Sequence, residues 1–152
     1  MKCLGAFCFI LVAVVLSGAA ETYQDNVATR SVKVEGILRC GKKPLADAVI
    51  RLFKSNSEDL GEVIAVGKST ADGKFSIEGD TSRFKAEDSE IDPYLRFYHQ
   101  CEQKSGYKRV QLQFPKEFIS LGKLPRRTYN VGLLNLELGF PGETTVKQVE
   151  GL

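Results

Sequence analysis

Ser31–Cys40 reads SVKVEGILRC, and the alternation in it decides the fold class. Val32, Val34, Leu38 and Cys40 share one parity, while Lys33, Glu35 and Arg39 share the other. Successive strand side chains point to opposite faces, so the stretch predicts a strand with one apolar and one solvated face.

Downstream the same signature recurs. Strands are predicted over 48–54, 62–69, 74–78, 93–101, 107–114 and 128–138, separated by glycine, proline and charged turns. Ala71, Asp72 and Gly73 predict a tight turn joining the third and fourth strands as a hairpin, because glycine after aspartate accepts a positive φ. In the fifth strand Leu95, Phe97, His99 and Cys101 point one way, and Tyr94, Arg96, Tyr98 and Gln100 the other. The seventh carries apolar residues on both faces, Leu133, Leu134 and Leu136, so it is either central or covered by a partner. Lys116 to Gly122 is long enough for one helical turn, and no long 3.6-residue period occurs after residue 20. The pattern is all-β, with seven predicted strands.

Upstream, Lys2 precedes an apolar run from Leu4 to Leu16 that ends in Ser17, Gly18, Ala19 and Ala20. That is the layout of a secretory signal peptide, and the run is shorter than the roughly 20 apolar residues a spanning helix needs. The expected organisation is a signal peptide over 1–20, a single β domain over 21–138 and a loosely ordered tail over 139–152. The exported protein is then secreted, with no integral membrane segment. Its formal net charge of +2 includes Lys2, so little charge remains to neutralise phosphates, and nucleic acid is not an expected partner.

Cys3 and Cys8 leave with the signal, so Cys40 and Cys101 remain. In an oxidising compartment two cysteines suggest one disulfide; free or intermolecular thiols are the alternative. A metal site from Cys40, His99 and Cys101 lacks a fourth ligand, and Asp88, Glu90 and Asp92 lack the glycine and terminal glutamate of an EF-hand. No metal or cofactor is expected. If Cys40 bonds Cys101, Lys42, Lys43, Lys104, Lys108 and Arg109 gather near one end of the sandwich with Tyr107 beside them, and the acidic run 87–92 falls at the other. Such an end could dock on anionic lipid head groups, each basic residue contributing about 1 kcal/mol.

Five segments carry a resemblance: VEGILRCGKK at 34–43, PLADAVIRLFK at 44–54, GKSTADGKFSIEG at 67–79, PYLRFYHQC at 93–101 and RRTYNVGLLNLEL at 126–138. Together they resemble the nematode transthyretin-like family over Ser31 to Leu138. The resemblance implies a transthyretin-type two-sheet β-sandwich of seven to eight strands, and secretion. It also implies an extracellular binding role, which in one line of the family is recognition of phosphatidylserine on dying cells and bridging to an engulfment receptor. Other members are parasite products that act on host tissue. The hydroxyisourate hydrolases share this sandwich but use several histidines and a C-terminal tyrosine-arginine-glycine-serine motif; this chain has one histidine, His99, and a different ending. The expectation is a non-enzymatic recognition protein, monomeric or weakly dimeric, that binds anionic phospholipid or a cell-surface receptor. The alternatives are an oligomeric carrier of a small hydrophobic ligand and an effector acting on a host protein.

Overall fold

The alternation at Ser31–Cys40 becomes β1, Arg30–Cys40, in a computed structural model that describes residues 29–85 and 90–151. The signal-peptide segment 1–20 and Asp88 lie outside the described residues. Six further strands follow the remaining predicted runs: β3 (Val49–Phe53), β4 (Val63–Lys68), β5 (Lys74–Asp80), β6 (Tyr94–His99), β7 (Tyr107–Gln113) and β9 (Tyr129–Asn135). Three short pieces complete the set: β2 (Lys43–Pro44), β8 (Ser120–Leu121) and β10 (Thr144–Val146). Lys116–Phe118 forms a single 3₁₀ turn.

The strands form two sheets. In the first, β1 is central, with β2 and β5 antiparallel to it, β8 antiparallel at its start and β9 parallel. The second has the order β10-β7-β6-β3-β4, antiparallel throughout. Between them lies the core that parity predicts: Val32, Val34 and Leu38 from β1 meet Ile50, Leu52, Leu95, Phe97 and Val110 from the second sheet. Phe75 and Phe97 meet edge to face at 5.6 Å between centroids. Burying each such side chain is worth about 1.5–3 kcal/mol.

Two expectations are corrected. The third and fourth predicted strands do not form a hairpin: β4 pairs with β3 and β5 with β1, in opposite sheets. The turn between them is nonetheless tight, closed by Gly73 N–H to the Thr70 carbonyl at 2.8 Å, with Gly73 at φ +78° against the Leu38 carbonyl, where a Cβ could not fit. Of the two readings of the seventh predicted strand, the central one is excluded: β9 flanks β1, and Leu133 is 51% exposed.

The second correction concerns the tail, which is folded onto the protein. Thr144–Val146 pairs with β7, while Val149 is buried in a second apolar cluster with Val49 and Tyr98. This cluster lies on the outer face of the second sheet. It buries Val49 and Tyr98 on that face, and so contributes to β3 and all of β6 beyond Tyr94 being buried on both faces. The driving force is burial of Val146 and Val149 against Val49, Tyr98 and Tyr107.

Candidate functional site

Cys40 closes β1 and Cys101 follows β6, so the two cysteines sit at neighbouring strand ends on opposing sheets. They are joined by a disulfide with Cα atoms 5.5 Å apart. The bond sets the 41–44 turn beside the segment after Cys101. Lys42, Lys43 and Lys104 are exposed there, and among the described residues none of the three forms an ion pair. Glu102, exposed, and Glu137, whose carboxylate lies against Gly41, offset part of this charge.

The other expected members of the basic end are spent elsewhere. Lys108 binds Glu143 of the tail at 3.3 Å, and Arg109 binds Glu58 at 2.7 Å and the Thr144 hydroxyl at 3.1 Å. Tyr107 packs on the outer-face apolar cluster. Successive residues face opposite ways on a strand, so Lys108 and Arg109 could not both serve one surface.

His99 lies just inside the disulfide and is 1% exposed. Its Nδ1 accepts a hydrogen bond from the Cys101 N–H at 3.2 Å, so a neutral ring carries its proton on Nε2. Burial pushes its pKa down to about 4; Lys108 adds to that shift and Glu143 opposes it. Such a histidine is neutral in the working range, and its bond to the chain at the end of β6 gives it a structural role. With both cysteine sulfurs in the disulfide, the Cys40, His99 and Cys101 metal arrangement is lost. Among the described residues no group of three or more histidine, cysteine, aspartate or glutamate side chains stands ready for a metal.

The largest concentration of buried charge is on the outer face of the second sheet. Register places Arg51 of β3 directly opposite Arg96 of β6, and Arg96 directly opposite Gln111 of β7. Arg96 is 1% exposed and lies over the Phe53 ring at 4.2 Å; Arg51 is 4% exposed and lies over Tyr98 at 5.4 Å. The Arg96 Nε donates to Gln111 at 2.9 Å, and its Nη2 donates to Asn56 at 3.3 Å and meets Glu58 at 3.4 Å. Arg51 donates to the backbone carbonyl of Glu150 in the tail.

The sequence marked Arg96 as outward-facing, but it gave no sign that Arg51 and Arg109 share its surroundings. The findable signal was arginine on the outer parity of β3, β6 and β7. What joins them is register and the folded tail.

Comparison with known proteins places the chain. The profile of the Transthyretin-like family matches residues 35–115. Transthyretin-like protein 33 of Caenorhabditis elegans is 36% identical over 123 residues, covering 79% of this chain and 83% of that protein. Transthyretin-like protein 46 of the same organism is 34% identical, covering 89% and 73%. Transthyretin-like protein 5 is 31% identical, covering 86% and 93%. These names specify a family and no reaction. Sequence profile, relatives and the two-sheet sandwich agree: this chain belongs to the transthyretin-like family.

Proposed function

We propose that the protein acts outside the cell as a recognition protein that docks on anionic phospholipid surfaces through the disulfide-tied lysine end. The observation that carries this reading is the exposed set Lys42, Lys43 and Lys104, unpaired among the described residues and held at one end by the Cys40–Cys101 bond. Lys108 and Arg109, which form ion pairs, are removed from the docking set. The apolar N-terminal segment and the disulfide both support an extracellular setting.

Three lysines near an anionic surface contribute roughly 3 kcal/mol before Glu102 and Glu137 are set against them. The adhesion is therefore weak and salt-sensitive, an encounter step that a second contact completes. Co-sedimentation of the oxidised protein with phosphatidylcholine vesicles, with and without phosphatidylserine, tests this. Binding to the phosphatidylserine vesicles that declines from low to physiological salt is the expected result. Equal or absent binding to both vesicles overturns the reading and directs attention to protein receptors.

A further inference from the structure

Arginine directly opposite arginine on neighbouring strands is an unfavourable pair. Burying both raises the cost, because each guanidinium loses water that polar partners must replace. In this protein the compensation is incomplete. Glu58 is the one carboxylate among the described residues that pairs with Arg96, and its side chain is 72% exposed. Arg51 has a ring face and a backbone carbonyl, neither of which carries a formal charge.

The two arginines open into a cleft of about 690 Å³ between the sheet face and the tail, within the range of small-molecule sites. Four cationic side chains, Arg51, Arg96, Arg109 and Lys147, line it against two carboxylates, Glu58 and Glu150, a net charge of +2. Apart from Gln148, the remaining wall is apolar: Phe53, Leu60, Tyr98, Val146 and Val149. The guanidiniums of Arg51 and Arg96 are fixed by ring stacking and so are pre-oriented, at little further entropic cost, toward a planar or tetrahedral oxyanion. Glu58 reaches in from the solvent side, its carboxylate on both Arg96 and Arg109. It occupies the place an incoming oxyanion would take.

We propose that this cleft binds a small amphipathic oxyanion, a carboxylate or phosphate joined to an apolar chain, with Glu58 as a displaceable internal competitor. The oxyanion bridges Arg96 and Arg109, and the chain lies against Phe53, Tyr98 and Val149. The site is separate from the lysine end and does not depend on membrane docking.

The test is calorimetric titration of the oxidised protein with dodecanoate and with dodecyl phosphate, each below its aggregation concentration, beside uncharged dodecyl maltoside and inorganic phosphate. Saturable one-to-one binding of at least one charged amphiphile is expected, without binding of the maltoside. Dodecanoate alone would mark a carboxylate site, and dodecyl phosphate alone a phosphate-monoester site. Arg109→Gln should weaken binding about tenfold, the worth of one charge-assisted bond, and Glu58→Gln should tighten it several-fold. Melting temperatures of both variants establish that they are folded. Binding that is unchanged in both folded variants, equal binding of the maltoside, or no binding by the parent and Glu58→Gln proteins overturns the proposal.

Discussion

The molecule keeps its positive charge in two different ways. At the disulfide end Lys42, Lys43 and Lys104 stand in solvent; on the outer face of the second sheet Arg51 and Arg96 are buried and lie over rings, with the tail bonded to Arg51. A solvated ammonium costs almost nothing to hold and interacts softly with any anionic surface. A buried guanidinium is expensive to hold and rewards a ligand of the right shape. The two regions therefore suit different tasks, long-range adhesion and close recognition, although composition scores them alike.

The sharpest way to break the comparison is to cut the bond that organises the lysine end. Replacing both Cys40 and Cys101 by alanine frees a loop with a sequence separation of 61. On the chain-entropy account this lowers stability by about 4 kcal/mol. Denaturant unfolding measures it, and a loss below about 1 kcal/mol would show that sheet packing alone holds that end.

Next comes the buried arginine. Arg96→Ala removes the stem that covers Phe53 and leaves polar partners short of a donor, an expected cost of about 3 kcal/mol. Arg96→Met keeps the stem and relieves the opposition to Arg51, so it should cost no more than about 1 kcal/mol. If the two variants unfold at the same denaturant concentration, the charge rather than the stem stabilises this face.

His99 gives a pH signature between the regions. Its folded imidazole binds a proton less readily than an unfolded one, whose pKa is about 6.5. Stability is therefore flat above that value and falls as pH drops through 6.5 toward about 4, the folded value. The expected loss between pH 7 and pH 5 is about 2 kcal/mol. Asp72, held down to about 2 by hydrogen bonds from Lys74 and Thr70, loses its contribution below that window, as pH falls from about 3.8 through 2. Melting curves at pH 7 and pH 5 should converge in His99→Gln; an unchanged slope would reassign the effect to another group. The smallest effect is at the lysines, where Lys42→Gln and Lys43→Gln should change stability by less than about 0.5 kcal/mol.

Legibility followed the range of the physics involved. The seven long strands and the inner parity of Val32, Val34, Leu95 and Phe97 were readable, because strand period is local and one face must be apolar. That the Asp72–Gly73 turn joins two sheets rather than two paired strands was not, since such a turn has much the same local chemistry either way. The folded tail was hidden because Val146 and Val149 carry no strand period of their own; their burial depends on a receiving surface made by Val49, Tyr98 and Tyr107. The arginine cleft was hidden for the same reason. Arg51 meets Arg96 through cross-strand register, and residue type alone does not reveal which residue stands opposite.

The most direct test of the functional claim sets one end of the sandwich against the other in vesicle co-sedimentation with phosphatidylserine. Lys42, Lys43 and Lys104 are changed together to glutamine in one protein, and Lys33, Lys116 and Lys123, which lie toward the opposite end, in another. Loss of binding in the first protein and retention in the second is the predicted result. Equal binding by the two would contradict docking through the disulfide-tied lysines.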